Sequence, residues 1–460
     1  MSIKSEIKLN MSEIKPLVYI GILSLISLFF NLSYLFIFGM FILVIRNREW
    51  LLSVLLMPAL IDGALNHDEL LITLGILNVV LLLPILYFFN INSKISLPPK
   101  FRFYFIALNL MLVLGVVVYH FKFGADSDVV IENFFKAAKI LFFFILLKFL
   151  INQKFEYFIN SIKKASNAIL VVILVVTLYT FFHGDSHGGN FDYLVFADAK
   201  HGTFSATLSA FSTFAVYNFF NVKDKALKWF YLGYLITVFI LILNLGSKNG
   251  LLSFSLVIIL GFLFLVHAKQ SFKKVLIIFA SVVVLGSTLF IFSDKIVNSP
   301  TIHRMTTQVE VGGIERAGSG RTELLESAFL AFPDAPVFGW GASKKAPRYV
   351  SANYGNVSIP NVIHNIYVDI LVQYGLIGVS LFIGFTLLAF RYGRITYRYC
   401  KKIHDSLLFI IPIMGISLVF SGMFVPWSWE VIVWYVAIYI LAIGYKVSMI
   451  PKSSNTLKSI

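Results

Sequence analysis

The sequence predicts an all-α integral membrane protein, a polytopic bundle of about 12–14 transmembrane helices with one long, partly helical loop outside the membrane. Hydrophobic residues make up 58% and charged residues only 13% of the 460 positions, whereas soluble domains carry roughly a quarter charged residues. The mean hydropathy is +0.84. Apolar runs recur from about residue 17 to residue 447 with no soluble-looking half. These observations favour one membrane domain.

The formal net charge of +15 does not indicate a nucleic-acid partner. The basic residues sit in short loops between apolar runs rather than in one groove or tail, which is the pattern of membrane topology signals. The predicted partner is the lipid bilayer. The single cysteine, Cys400, can form no intrachain disulfide.

The first apolar runs are irregular. The run Leu17–Ile45 is too long for one ordinary helix and is interrupted at Asn31 and Ser33, so we expect a hairpin of two short helices. If this run crosses the membrane only once or incompletely, the total falls to 12 or 13 crossings. The next run, Trp50–Asn66, is short and carries Asp62.

Later runs approach the roughly 20 apolar residues that a spanning helix needs. They lie at about residues 69–90, 101–120, 130–151, 166–183, 202–221, 227–246, 248–267, 274–293, 365–390, 406–424 and 427–447. The predicted organisation is amino-terminal transmembrane helices at 1–293, a large outer loop at 294–364 and carboxy-terminal transmembrane helices at 365–460.

The lysines and arginines predict the orientation. With a cytoplasmic amino terminus, alternation places most of them in cytoplasmic loops, at residues 46–48, 94–102, 154–164, 223–228, 269–274 and 391–402. Only Lys122, Lys200 and Lys248 fall in short outer loops. This bias predicts that both termini are cytoplasmic and that the long loop faces the opposite side.

The middle of the long loop predicts a helix. An apolar stretch at Leu324–Phe332 follows the flexible turn Gly318–Gly320, and Pro333 and Pro336 close it. The segment Pro347–Pro360 is expected to form a loop.

The segment from Gly318 to Gly378 carries the most informative motifs. They are Gly-Arg at Arg321, Pro-x-x-Gly-x-Gly at 336–341, and His364-Asn365 with Gly375 eleven positions after the histidine. In order and spacing, these motifs resemble the carboxy-terminal signature of the O-antigen ligase and polymerase superfamily. Its members are membrane glycosyltransferases that use sugars carried on undecaprenyl diphosphate.

Two further elements resemble the family less closely. Leu-Gly-Ser-Lys-Asn-Gly at 245–250 stands where the family commonly has Ser-Arg-x-Gly, so Lys248 replaces the usual arginine. Lys-His-Gly-Thr-Phe at 200–204 is similar to a family Arg-x-x-Gly-Thr-Phe element. Gln373 stands where many members have an acidic residue.

The chemistry that this resemblance implies suits these residue types. Arg321 and Lys248 are candidates to stabilise the negative charge that develops on a diphosphate leaving group without a metal. His364 has an intrinsic pKa suited to accepting the proton of an acceptor hydroxyl. Asn365 is a candidate to orient the histidine or a sugar hydroxyl, and Lys200 is a further candidate for binding the substrate.

Each candidate also has an ordinary structural interpretation. Arg321 could be a loop charge beside Glu323, and Lys248 an interfacial lysine that snorkels. The same holds for Lys136 and Lys139, which lie on one face of an otherwise apolar helix. There they could line a diphosphate pocket or reach the interface.

No metal site or cofactor is predicted. His183, Asp185 and His187 alternate in HGDSHGGN, yet nothing else in the sequence completes a coordination sphere. We interpret this segment as a solvated turn.

The resemblance implies a metal-independent glycosyltransferase of the bacterial cytoplasmic membrane with its active site on the periplasmic side. The favoured function is an O-antigen or capsular polysaccharide polymerase, whose partners are lipid-linked donor and acceptor glycans and a chain-length regulator. A ligase that transfers the glycan to lipid A core, or to protein, shares the donor. A lipid-linked oligosaccharide flippase is the alternative of another class, but it predicts charged groups in several central helices and related halves.

Overall fold

The computed structural model describes residues 11–30, 32–65, 80–84, 86–87, 96–183, 201–244, 248–269, 321–355, 365–403, 405–422 and 431–450. All regular elements in these ranges are helical. The helices before the long loop are α1 (Met11–Phe29), α2 (Ser33–Arg46), α3 (Leu51–Leu56), α4 (Pro58–Leu65), α5 (Pro99–Phe123), α6 (Ser127–Asn152), α7 (Phe155–His183), α8 (His201–Asn221), α9 (Lys225–Asn244) and α10 (Lys248–Lys269). The later helices are α11 (Arg321–Ala331), α12 (Lys345–Tyr354), α13 (Ile366–Ile403), α14 (Ile410–Ser421) and α15 (Val431–Ser448).

The predicted class, an all-α polytopic membrane protein, is confirmed. Among the described residues, four helices are long and apolar enough to cross a membrane: Pro99–Phe123, Phe155–Tyr179, Lys225–Leu243 and Ile366–Ile403. Shorter apolar helices accompany them at Ile14–Phe29, Tyr34–Arg46, Asn249–Gly261, Leu407–Ser421 and Ile432–Ser448. The runs predicted at 69–90 and 274–293 lie largely or wholly outside the described residues, so the number of crossings stays a prediction.

The predicted hairpin at the amino terminus is confirmed. The hydroxyl of Tyr19 in α1 donates to the Gly39 carbonyl in α2 at 3.2 Å. A side-chain carbon at Gly39 would lie 2.9 Å from an atom of Leu23. Leu23 and Gly39 are equally far in sequence from position 31, so the two helices are antiparallel about the predicted interruption.

Helix α8 forms the centre of the bundle. Each residue from Phe204 to Asn218 is buried, and α8 packs against α9, α10, α14 and α4. Its serines bond to the backbone: Ser209 Oγ donates to the Ser205 carbonyl at 2.7 Å and to the Gly250 carbonyl of α10 at 2.9 Å. Small residues allow such close helix contacts within a membrane.

One helix of the long loop was predicted correctly and one was missed. Helix α11 and the short 3₁₀ turn Phe332–Asp334 match the expected helix and its proline stop. The predicted loop at Pro347–Pro360 is wrong in its first half, because Lys345–Tyr354 is helical. Pro347 lies in the first turn, where a helix does not use the missing N–H.

Candidate functional site

Helix α13 is not a single straight crossing, because its backbone breaks at Gly375 with φ 61° and ψ −158°. The rings of Tyr367 and Phe382 lie 5.8 Å apart, although fifteen residues of straight helix would separate their backbones by about 22 Å. The chain therefore turns back sharply at Gly375. We call residues 366–374 the short limb and residues 376–403 the long limb.

The Pro-x-x-Gly-x-Gly motif caps the long limb from one side of this break. The Leu376 N–H donates to the Pro336 carbonyl at 2.9 Å, and the Ile377 N–H donates to the Val337 carbonyl at 3.3 Å. These donors are among the N–H groups that a helix start leaves without a partner. The first half of the motif supplies their acceptors.

The second half of the motif caps the short limb. The Trp340 N–H donates to the Val372 carbonyl at 2.7 Å, and the Gly341 N–H donates to the Gln373 carbonyl at 3.0 Å. One six-residue loop thus satisfies backbone groups of both helix ends. Non-helical backbone is tolerated at membrane depth only where protein or water satisfies it in this way.

The glycines of this motif are required by space and by backbone conformation. Gly339 has φ 70° and Gly341 has φ 107°, values that residues with a side chain rarely adopt. A Cβ atom at Gly339 would lie 2.6 Å from the Gly375 nitrogen, and one at Gly341 would lie 2.6 Å from the Tyr119 Cα. The loop is therefore pressed against both α13 and α5.

Asn365 begins the short limb and caps it. Its side-chain Oδ1 accepts from the N–H groups of Tyr367 at 3.0 Å and Val368 at 3.2 Å. The next backbone N–H, of Ile366, donates to the Gly422 carbonyl at the end of α14 at 2.8 Å. The expected role of Asn365 toward substrate is untested, and its carboxamide oxygen is engaged in capping. His364 precedes it directly in sequence and lies outside the described residues.

A buried polar chain links this point to the start of α10. Ser421 Oγ, beside Gly422, lies 2.7 Å from Ser253 Oγ, and Ser253 Oγ donates to Asn249 Oδ1 at 3.3 Å. Lys248 is the first residue of α10, and its side chain lies outside the description. The structure therefore brings the first turn of α10, which begins at Lys248, near the start of the short limb.

Helix α11 contacts α13, and we infer from two observations that it runs beside the short limb in the same direction. Trp340 holds both carboxy-terminal ends, since its Nε1 donates to the Ala331 carbonyl at 3.3 Å and its backbone N–H donates to Val372. About one turn earlier on each helix, Ala328 and Val368 belong to the same buried apolar cluster.

This parallel packing places the first residues of the two helices, Arg321 and Asn365, toward the same end. The side chain of Arg321 is outside the description, so only its position on the backbone is known. Helix starts carry a partial positive charge. The starts of α11 and the short limb therefore both favour an anionic group at that end.

Lys136 is placed beside the short limb. Its side chain is only 7% exposed and its ammonium group lies 2.9 Å from the Glu132 carboxylate. The buried Asp369 carboxylate also acts electrostatically on it, and Gln373 Nε2 donates to Asp369 at 3.0 Å. Lys139, three residues further along α6, is half-buried. In this arrangement the Lys136 charge is already compensated by carboxylates.

A family model described as O-antigen ligase matches residues 232–383 of the chain. This match supports the predicted resemblance of the chain to the O-antigen ligase and polymerase superfamily. The matched segment includes Lys248, the Pro336–Gly341 loop, His364 and Gly375. No curated protein matches the chain.

The resemblance to the superfamily implies a glycosyl-transferring membrane enzyme. Among the seven residues predicted for its site, the structure positions Lys136, Lys139 and Asn365 with their side chains and Arg321 and Lys248 by their backbone. Lys200 and His364 lie outside the described residues. The segment 184–200, with Asp185 and His187, is also outside; among the described residues no group of three His, Cys, Asp or Glu could hold a metal ion.

Sequence analysis missed two polar residues near this site, Asp369 in the short limb and Asn133 in α6. Asp369 lies four positions from both Asn365 and Gln373. Residues four apart share one face of a helix, so this spacing is the signal in the sequence that indicates a polar face. Asn133 lies one turn before Lys136 and donates to the Ala342 carbonyl at 2.6 Å. It ties α6 to the end of the glycine-containing loop.

An exposed ion pair joins α12 to the start of α6. Lys345 pairs with Asp126, which also caps α6 by accepting from the Asp128 N–H at 3.0 Å. The hydrogen bond from Lys345 lowers the pKa of Asp126, and the same bond raises the pKa of Lys345. Nearby, the Lys122 ammonium sits 3.8 Å above the Trp340 ring. These contacts anchor the loop but lie apart from the start of the short limb.

Proposed function

We propose that the protein is a polysaccharide polymerase of the bacterial cytoplasmic membrane. It would move a growing glycan from undecaprenyl diphosphate onto the non-reducing end of a new lipid-linked repeat unit at the periplasmic face. The observation that carries this proposal is the capped break at Gly375, together with the position of Asn365, the residue after His364, beside the start of α10 and the end of α14. The family match and the basic residues predicted for this region support it.

In the proposed reaction, His364 accepts the proton of the acceptor hydroxyl. The hydroxyl oxygen then forms a bond to the anomeric carbon, and the bond from that carbon to the diphosphate oxygen breaks. Undecaprenyl diphosphate leaves with its negative charge. Arg321 and Lys248 would stabilise this charge, as electrostatic groups do when aimed at the atom where charge develops.

The helix geometry supports these roles. The starts of α11 and of the short limb point their positive ends toward the same region, which favours a diphosphate over a neutral group. Arg321 and the His364–Asn365 pair stand at those starts. Lys136, paired with carboxylates, is better suited to hold the short limb in position than to bind free phosphate.

The ligase is the second candidate, because the matching family model is described as O-antigen ligase. Polymerase and ligase share the donor and differ in the acceptor. A lipopolysaccharide gel of a strain lacking the gene separates them. Core carrying one repeat indicates a lost polymerase, whereas bare core with free lipid-linked polymer indicates a lost ligase.

The catalytic proposal is tested by complementing that strain with His364→Ala and Arg321→Ala. Both variants are expected to abolish glycan extension while lipid-linked repeats still reach the periplasmic face. Arg348→Ala is a matched control, since it removes an exposed arginine from α12 and should leave extension intact. Repeats accumulating on the cytoplasmic side would contradict the proposal and favour a flippase. Full extension by His364→Ala would remove its assigned role.

The periplasmic location is a separate prediction. Single cysteines introduced between Ser293 and His364, in a chain with Cys400 replaced, should react with a membrane-impermeant reagent in intact spheroplasts. Cysteines placed at the two termini should react only after permeabilisation. Labelling of the loop only after permeabilisation would overturn the proposal, because donor and acceptor glycans would not reach it.

A further inference from the structure

The long limb, α14 and α15 enclose a cavity of about 610 Å³, within the size range of ligand sites in proteins. Its walls are almost entirely aromatic and aliphatic, with Phe385, Phe390 and Trp434 among them. Among the described residues that line it, Arg394 is the only charged one.

The guanidinium of Arg394 is exposed, and within the described part of the chain no carboxylate pairs with it. Arg391 and Arg398 lie three positions before and four after it, on the same side of the helix and also exposed. A cluster of unpaired guanidinium groups at the end of an apolar cavity complements an anionic head group attached to hydrocarbon chains. Guanidinium groups bind phosphate with two parallel hydrogen bonds.

The dimensions agree with one membrane leaflet. Along the long limb, the apolar lining extends from Phe382 to Arg394, and twelve residues of helix rise about 18 Å. Half of the hydrocarbon core of a bilayer is about 15 Å. Arg394 belongs to the basic segment 391–402 that is predicted to face the cytoplasm, and this segment is the last part of α13. The head group would therefore lie in the cytoplasmic leaflet.

We propose that this cavity binds an anionic phospholipid, with its phosphate on Arg394 and an acyl chain along the long limb toward Phe382. Basic pockets between transmembrane helices on the cytoplasmic side bind anionic lipids in this manner. The tail of the undecaprenyl donor is a different occupant. Among the described residues that line the cavity, none at the end near Tyr367 is a cation, so the charge favours a lipid held at the Arg394 end.

Two variants of the full-length protein test separately the charge of Arg394 and the space inside the cavity. Arg394→Gln removes the cation and keeps the cavity. Gly393→Leu keeps the cation and fills the cavity, and it should fold because a Cβ atom at Gly393 meets its nearest neighbour, Pro412, at an ordinary 3.6 Å. Arg102→Gln is the matched control, since Arg102 is an exposed arginine at the start of α5 that does not line the cavity.

The experiment is native mass spectrometry of the purified, delipidated protein titrated with phosphatidylglycerol, phosphatidylcholine or undecaprenyl phosphate. We expect one phosphatidylglycerol bound per chain. Phosphatidylcholine should bind at least tenfold more weakly, because both lipids carry the phosphate but the trimethylammonium group of phosphatidylcholine is repelled by the exposed Arg391, Arg394 and Arg398. Arg394→Gln should abolish this preference, Gly393→Leu should abolish binding, and Arg102→Gln should change neither.

Several results would overturn the proposal. Equal binding of phosphatidylglycerol and phosphatidylcholine by the unaltered protein would exclude recognition of the charge, whatever the variants do. An unchanged preference in Arg394→Gln would exclude this arginine. Displacement of bound phosphatidylglycerol by an equimolar amount of undecaprenyl phosphate would assign the cavity to the polyprenyl lipid instead.

Discussion

Replacing Gly375 with alanine tests whether the bend in α13 depends on a residue without a side chain. Alanine favours helix, so a straight α13 would accept this change or gain stability. The observed bend predicts the opposite. The free energy of unfolding and glycan extension should both decrease.

The expected magnitude follows from two terms. The backbone at Gly375 (φ 61°, ψ −158°) lies near a region essentially restricted to glycine, and holding another residue there costs about 1–3 kcal/mol. The new Cβ would also lie 2.5 Å from the Val337 carbonyl carbon and 2.6 Å from the Gly339 nitrogen. Both are backbone atoms, so relieving the overlap costs about 1–3 kcal/mol more. The total is about 2–6 kcal/mol.

The assay is unfolding in mixed detergent micelles, together with complementation of glycan extension. Gly233→Ala in α9 is the matched control, because a Cβ atom there meets nothing within 4 Å. It should leave extension intact and raise the free energy of unfolding by up to about 1 kcal/mol. A Gly375→Ala protein that unfolds and extends glycans like the unaltered protein would refute the claim that the bend depends on a glycine and that glycan extension depends on the bend.

Three further predictions concern single contacts; two are tested by the free energy of unfolding and one by an absorbance titration. Lys136→Ala removes a buried ammonium group from the partly exposed Glu132 and should lower the free energy of unfolding by about 1–3 kcal/mol. Lys345→Ala breaks an exposed pair and should change it by at most about 1 kcal/mol; an effect of Lys136→Ala as small as that of Lys345→Ala would contradict the burial of Lys136. A hydrogen bond to Asp334 raises the pKa of Tyr354 from 10.0 to about 12, so its contribution to stability is complete below pH 10 and is lost as the pH rises toward 12. Absorbance titration of the unaltered protein minus Tyr354→Phe should show this late ionisation, and Asp334→Asn should move it back toward 10. Gly250→Ala places a carbon 2.5 Å from Ser205 and should cost about 1–3 kcal/mol; a neutral effect would mean that α8 and α10 are not in close contact.

The bend in α13 could not be predicted from the sequence. Hydropathy predicts an apolar helix from residue 365, because Ile366, Leu371 and Leu376 continue one long run. The bend depends on hydrogen bonds between Gly375's neighbours and a loop more than thirty residues earlier in the chain. A hydrogen-bond partner so far away in sequence does not change the hydropathy pattern of the apolar run itself.

The contacts between residues of the candidate site could not be predicted from the sequence either. Lys136, Lys248 and Arg321 were selected from motif and charge, but nothing in the sequence relates α6 to the short limb. Asp369 was overlooked because a carboxylate in an apolar run has no evident partner until the folded chain places Lys136 beside it.

Composition and the spacing of apolar runs were sufficient to determine a helical membrane protein, and the motif order was sufficient to indicate its resemblance to the superfamily. Both follow from local chemistry, since a bilayer requires long apolar helices and a glycine motif can be read along the chain. Tertiary structure alone decided that the glycine loop caps two helix ends, that α13 folds back on itself, and that α10 begins and α14 ends near Asn365. These arrangements depend on backbone groups that find partners far away in sequence, which the order of residues does not reveal.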